Sequence, residues 1–256
     1  MNLKAKNALV FAANGAIAST VAKRFARDKA RIWLSGRNAQ RLEALARDIR
    51  DDGGQVEIAV VDAIDADAVE AYVASVVKQT GNIDIVFNGI GGRPVDLGYP
   101  QSSADQPMSD FLKPLQTIVG STFLTSRAAA KHMAAQGGGS VITLSATLSV
   151  MTAPYMAGIS AASAAVEGLT RALAGEFGPS GVRVNCVRAN GMPETRTIQE
   201  TGAGYVNLGL VPSMVPPLLG RPISVEETAA VAAFLASDAA SGMTGQVVTV
   251  SAGAFV

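Results

Sequence analysis

Apolar and β-branched runs of five to seven residues alternate with longer stretches of helical periodicity over nearly the whole chain. That alternation is the pattern of a parallel sheet whose strands are joined by crossover helices. Residues 7–11, 30–34, 55–61, 83–87, 139–144, 181–187 and 246–250 read as strands, which predicts a doubly wound α/β fold with a seven-stranded parallel sheet. Helical periodicity covers 16–28, 39–51, 67–79, 109–135, 157–177 and 225–236. Asn38 and Ser224 stand where N-caps belong, and Glu227, three residues after Ser224, completes a capping box. The rhythm breaks at about 188–221, where Pro193, Pro212, Pro216, Pro217 and several glycines predict a long loop serving as a lid or binding flap.

In the helix over 157–177, Ile159, Val166, Leu169, Leu173 and Phe177 form one apolar stripe. The small residues Ala161, Ala162, Ala164, Ala165, Ala172 and Ala174 cover its other faces. Small side chains let helices approach closely, so this helix and the one from Ser109 fit either a subunit interface of a homo-oligomer, dimer or tetramer, or packing on the sheet.

A chain of 256 residues that is 48% apolar can bury one large core, and no shift in composition marks a second domain, so 1–256 reads as a single domain. With 21 basic and 21 acidic residues, the steering field expected of a nucleic-acid binder is absent. A small neutral or singly charged ligand is the expected partner. The one cysteine, Cys186, has no intramolecular disulfide partner and reads as core filler, which suits a reducing cytoplasm. Lys4 and Lys6 followed by ALVFAA imitate part of a signal peptide, but Asn14-Gly15 interrupts the run, and a strand, turn and helix opening explain the same letters. No apolar run reaches the roughly 18 residues of a membrane span, and no His, Cys or carboxylate cluster predicts a metal site. His132, the only histidine, reads as a helix-end residue facing solvent.

After the first predicted strand the chain turns through Ala12-Ala13-Asn14-Gly15-Ala16-Ile17-Ala18 into a helix, the place where α/β sheets set backbone amides beneath a pyrophosphate. Over essentially all its length, from LKAKNALVF to GQVVTVSAG, the sequence resembles the short-chain dehydrogenase/reductase family, which implies a Rossmann-like domain and an oxidoreductase ancestry. That family's turn reads TGxxxGxG; here Phe11 replaces the threonine, and Ala12, Ala16 and Ala18 replace the glycines. The added methyls either crowd the pyrophosphate or force another turn shape, with Gly15 able to relieve the strain, so a bound nucleotide and an emptied groove both remain open. The resemblance implies cofactor contacts at Asn14, Gly15 and Ile17 in the turn, at Arg37 after the second strand, at Asp62 after the third, and at Asn88 and Gly89 in a turn resembling NNAG. Arg37, with no acidic residue to grip a ribose diol, points to NADP; a solvated arginine opening the next helix reads equally well.

The family places Tyr and Lys four apart on one helix, a Ser about 13 residues before the Tyr, and an Asn in the preceding helix. Registering AASAAVEGLTRALAGE on the usual ASKAAVEGLTRALALE without a gap puts Ile159 at the tyrosine, Ser163 at the lysine, Ala146 at the serine and Ile118 at the asparagine. A reduction of this kind needs a proton donor for the developing alkoxide, and a phenol serves only when a nearby cation lowers its pKa from about 10. The neighbouring candidates are Ser145, with Thr147 and Ser149 in the same loop, and Tyr155, which fits equally a loop aromatic over the pocket mouth. Arg188 fits a ligand carboxylate or phosphate, or a surface ion pair with Glu194 or Glu176.

Three functions follow as expectations. One is a non-catalytic NAD(P)-binding member of the family. The second is an NADPH-dependent reductase of an activated double bond or acyl-type substrate with another proton route. The third is a lyase or isomerase that uses the emptied groove, with Tyr155 and Glu194 as acid or base. The apolar lid, with Tyr205, Leu208, Leu210, Val211 and Met214, suits an apolar or acyl-type ligand or plain lid packing.

Overall fold

The computed structural model describes residues 1–211 and 215–255. Seven strands form one sheet in the order β3-β2-β1-β4-β5-β6-β7, every neighbouring pair parallel. They are β1 (Asn7–Phe11), β2 (Arg31–Gly36), β3 (Gln55–Val60), β4 (Ile85–Asn88), β5 (Gly139–Ala146), β6 (Val182–Ala189) and β7 (Val247–Val250). Helices α1 (Ala16–Arg27), α2 (Ala39–Asp51), α3 (Ala66–Thr80), α6 (Ala157–Phe177) and α8 (Val225–Ala236) stand where periodicity puts them. Asn38 accepts a hydrogen bond from the Arg41 amide, and Ser224 and Glu227 form the reciprocal capping box.

Strand alternation sends side chains to two buried layers. One packs β1, β2 and β4 residues such as Val10, Leu34 and Phe87 against Val21, Phe25 and Leu42 of α1 and α2. The other packs Leu9, Trp33 and Val86 against Val69, Val73 and Met133 on the opposite face. All five residues of β1 are buried, as a central strand covered on both faces must be.

Two elements depart from the sequence reading. The single helix expected over 109–135 is built as α4 (Met108–Pro114), a wide π-type turn (Leu115–Gly120) and α5 (Ser121–Gln136). Pro114 cannot donate to the ladder and its ring crowds the preceding turn, so the helix widens directly after it. The segment 188–221, expected to be loop, contains α7 (Arg196–Asn207). No residue of α7 is fully buried, and Gly202 and Gly204, poor helix formers, stand inside it, so the letters read as loop.

The β1–α1 turn settles how the chain accommodates its alanines. Ala12 itself takes the left-handed conformation, φ 54°, whereas Gly15 is extended at φ −79° and ψ 153°. Gly15 therefore gives no conformational relief. Ala12 bears a strain of about 1–2 kcal/mol there.

Candidate functional site

The carboxyl ends of β1 and β4 are neighbours in the sheet, yet their crossover helices leave in opposite directions, and a crevice opens there. The amide end of α1 points into it, and no side chain caps the first turn of that helix. Asn14 lies across the end of β2: its Nδ2 donates to the Asn38 carbonyl at 3.3 Å, while its Oδ1 is buried without a partner. Gly36 makes room for it, since a Cβ there would stand 3.0 Å from Asn14 Nδ2. Arg37 is exposed beside it and, among the described residues, joins no ion pair. Asp62 is exposed and accepts from the Ile64 amide at 3.3 Å.

Asn88 is buried, its Nδ2 donating to Thr125 Oγ1 at 2.7 Å and its Oδ1 accepting from the Ile90 amide at 2.9 Å. At Gly89 a Cβ would come within 2.6 Å of the Ala18 methyl. The methyl gained at Ala18 thus makes a glycine obligatory across the crevice. Ile17 packs with Ala189, Met192 and Ile223, which form an apolar patch beyond the turn. All seven residues singled out for a nucleotide therefore sit at or just beyond the carboxyl ends of β1 to β4, or in the first turn of α1. Free amides at a helix start fit a phosphate, and the unsatisfied buried oxygen on Asn14, an acceptor, fits a hydroxyl or amino donor of a nucleotide.

The four positions set by the register are brought to the neighbouring part of the crevice: Ala146 at the end of β5, Ile118 in the π-type turn, and Ile159 and Ser163 at the start of α6. Ile118 and Ile159 are both buried in one apolar cluster with Leu97, Tyr99, Met156 and Val166. Ser163 is buried too, its hydroxyl donating back to the Ile159 carbonyl at 2.9 Å. Tyr155 takes φ 63° and is half-buried, and its carbonyl accepts from the Gln101 amide at 2.9 Å.

Tyr99 went unnoticed in the sequence. It is buried, and its hydroxyl accepts from the Gly158 amide at 3.0 Å, in the first turn of α6. A Cβ at Gly158 would overlap that hydroxyl and stand 2.7 Å from the Phe111 carbonyl. Gly158→Ala is expected to destabilise the fold by about 1–3 kcal/mol through overpacking. The double variant with Tyr99→Phe should recover part of that loss in urea melts. Equal stability of the single variant and the parent would refute the contact.

Arg188 pairs with neither Glu194 nor Glu176. The β5–β6 register sets Ser145 beside Arg188, both on the α6 side of the sheet. There the Arg188 guanidinium grips Glu167 of α6 with two bonds, 2.8 Å from Nε to Oε1 and 2.6 Å from Nη2 to Oε2. Ser145 and Ser149 donate to the same carboxylate at 3.0 and 2.6 Å, and Arg188 Nη1 donates to Thr249 Oγ1 at 3.1 Å. Burial pushes the Glu167 carboxyl up, but the hydrogen bonds from Arg188, Ser149 and Ser145 together outweigh it and hold it below its usual range. Ser145 is thereby committed as a donor to a carboxylate. Glu194 accepts instead from the Val225 amide at 2.9 Å, at the start of α8. Glu167 was legible in principle: it follows Ile159 and Ser163 at steps of four, on the face that turns inward.

Cys186 is buried in the apolar cluster, and burial raises its thiol pKa, which agrees with its reading as core filler. Thr147 Oγ1 donates to Asn190 Oδ1 at 2.9 Å, linking the loops after β5 and β6. Above the crevice, α7 is tied down at two points: Arg93 Nη1 meets both Glu200 oxygens at 2.9 Å, and the Tyr205 hydroxyl donates to the Pro154 carbonyl at 2.6 Å. Met214 of the expected apolar lid lies outside the described residues, with Pro212 and Ser213. Among the described residues there is no metal-binding group of His, Cys, Asp or Glu, and no helix is long and apolar enough to cross a membrane.

Comparison with known proteins places this geometry. A family model described as enoyl-(acyl carrier protein) reductase matches residues 11–254. Gluconate 5-dehydrogenase of Gluconobacter oxydans is 31% identical over 98% of this chain and 95% of its own length. A 3-oxoacyl-(acyl-carrier-protein) reductase of Chlamydia trachomatis is 30% identical over 97% of this chain and 96% of its own. Among solved structures, NAD+-bound xylitol dehydrogenase is similar with a TM-score of 0.89 at 26% identity, covering 99% of this chain and 100% of that one. A 7α-hydroxysteroid dehydrogenase complexed with NADH and 7-oxo glycochenodeoxycholic acid has a TM-score of 0.85 at 27% identity, covering 98% and 95%.

Proposed function

The chain belongs to the short-chain dehydrogenase/reductase family, and from that membership we propose that it binds NADP but does not carry out the Tyr/Lys-dependent exchange of alcohol and carbonyl. One observation carries the proposal. Ile118 and Ile159 lie together in an apolar cluster, and the Ser163 hydroxyl is satisfied by its own helix, so the positions set by the register present no group able to protonate an alkoxide.

The uncapped first turn of α1 would hold the pyrophosphate, and Asp62 would lie at the adenine. A bound nicotinamide would supply a hydride. Preference for the 2′-phosphate is supported by Arg37 and Arg41. Both are exposed at the start of α2, where the helix dipole disfavours cations, and neither joins an ion pair among the described residues. Two unpaired cations in that place suit an anionic ligand.

Calorimetry is expected to show NADPH binding at least about tenfold tighter than NADH, a difference of about 1.4 kcal/mol, and Arg37→Asp should abolish that preference. The same protein should leave a panel of ketones and aldehydes unreduced. Failure to bind either nucleotide would remove the first half of the proposal; steady ketone turnover would remove the second.

A second reading is favoured by the description of the matching family model and by the apolar crevice: reduction of an activated double bond in an acyl-type substrate, the enolate taking its proton from water. Loss of NADPH absorbance with a short enoyl thioester would select it over the non-catalytic reading. The lyase or isomerase reading has less support, because Glu194 is committed to the α8 amide.

A further inference from the structure

Helix α7 has no fully buried residue, so few apolar contacts hold it down. Its attachments are specific instead. Arg93, in the loop after β4, spends its guanidinium on two carboxylates: Nη1 on Glu200 at 2.9 Å, and Nε and Nη2 on Asp96 at 2.8 and 2.6 Å. Glu200 is shared with Arg196 of the same helix. One turn on, Gly204 lets the helix backbone lie against Pro100, where a Cβ would come within 2.7 Å of the proline ring. Tyr205 then packs its ring against the apolar cluster of Leu97, Ile118, Met156 and Ile159 and fixes its hydroxyl on the Pro154 carbonyl.

We propose that Tyr205 is a built-in competitor for the apolar end of the crevice, and that the Arg93–Glu200 contact is the latch that keeps it in place. The ligand it excludes is a neutral, apolar group. The cluster beneath Tyr205 carries no charge, and the Glu167–Arg188 pair of α6 and β6 is already satisfied internally. An incoming apolar group would replace the tyrosine ring on the same surface, and α7 would lift as the latch opens. A latch of partly exposed charges is the right strength for this, because such pairs are weak and salt opens them. The proposal rests on the crevice being the ligand site.

The probe is N-phenyl-1-naphthylamine, a neutral aromatic whose fluorescence rises on entering an apolar environment. Glu200→Gln and Tyr205→Ala should each raise its affinity about three- to tenfold over the parent. Hydrogen exchange in α7 should quicken in both. Raising ionic strength to about 1 M should move the parent toward Glu200→Gln and leave that variant nearly unchanged. Tyr205→Phe, which keeps the ring and loses the bond to Pro154, should fall between parent and Tyr205→Ala. Equal probe affinity in parent and both folded variants would overturn the proposal, as would an equal gain in the remote control Glu176→Gln. NADPH affinity measured in the same samples separates the two ideas: its absence counts against the nucleotide reading alone, and an unmoved probe counts against the latch alone.

Discussion

Replacing Arg188 by methionine is expected to lower the unfolding free energy by about 3–5 kcal/mol, because it strands a buried carboxylate. For a chain of this size that corresponds to a melting temperature lower by about 10 °C. Glu167 keeps only 8% of its side-chain surface and Arg188 17%, so water cannot replace the lost partner. The double variant Glu167→Met/Arg188→Met should be markedly more stable than either single one, since paired removal leaves no uncompensated charge. Additive losses would show instead that the two residues do not act as a pair. The pair also sets an acid limit. The folded Glu167 carboxyl lies below its unfolded value of about 4.3, so its contribution is full above that pH and is lost as pH falls through the folded value. Glu167→Gln should flatten this part of the acid unfolding curve.

On the proposed reading, placing the family's four residues at the positions the register assigns should create activity. The variant Ile118→Asn/Ala146→Ser/Ile159→Tyr/Ser163→Lys is expected to reduce ketones with NADPH at least about 10²-fold above the background of the parent, the usual worth of one positioned acid or base. Ile159→Tyr alone should stay near background, because a phenol without a cationic neighbour keeps a pKa of about 10. Groups that act as a unit give such non-additive results. Circular dichroism would confirm that the variant folds, since two apolar side chains leave a packed cluster. A folded but inactive protein would mean that the register linking Ile159 to the tyrosine position is wrong.

The sheet was legible because its central strands β1 and β4 are buried on both faces and, like the others, stand out as short apolar runs between turns. Its boundaries were less so: β5 and β6 run on through Ala146 and Ala189 because they pair with each other there, which a single strand's letters do not reveal. The N-caps at Asn38 and Ser224 were legible since they depend on residues three apart. Partnerships across the chain were not. Glu167 and Arg188 are 21 residues apart, and a charge near a strand's end looks the same whether it faces a ligand or a helix. Parity along β6 held the answer, for Arg188 shares its face with Val184 and Cys186, both fully buried. The turn after β1 shows a different limit. The alanines at its glycine positions were plain, but which residue would take the left-handed conformation was not, because that residue is Ala12 and not the one glycine in the turn, Gly15.

The hydroxyl of Tyr99 reaches the opening turn of α6 from 59 positions earlier in the chain. That turn is therefore not autonomous: the Gly158 amide finds its acceptor only after a distant segment has come to rest on it. Exchange at this amide would report collapse of the whole domain rather than fraying of one helix end. An excised α6 peptide would have no such protection, so the crevice wall it carries depends on a long-range contact.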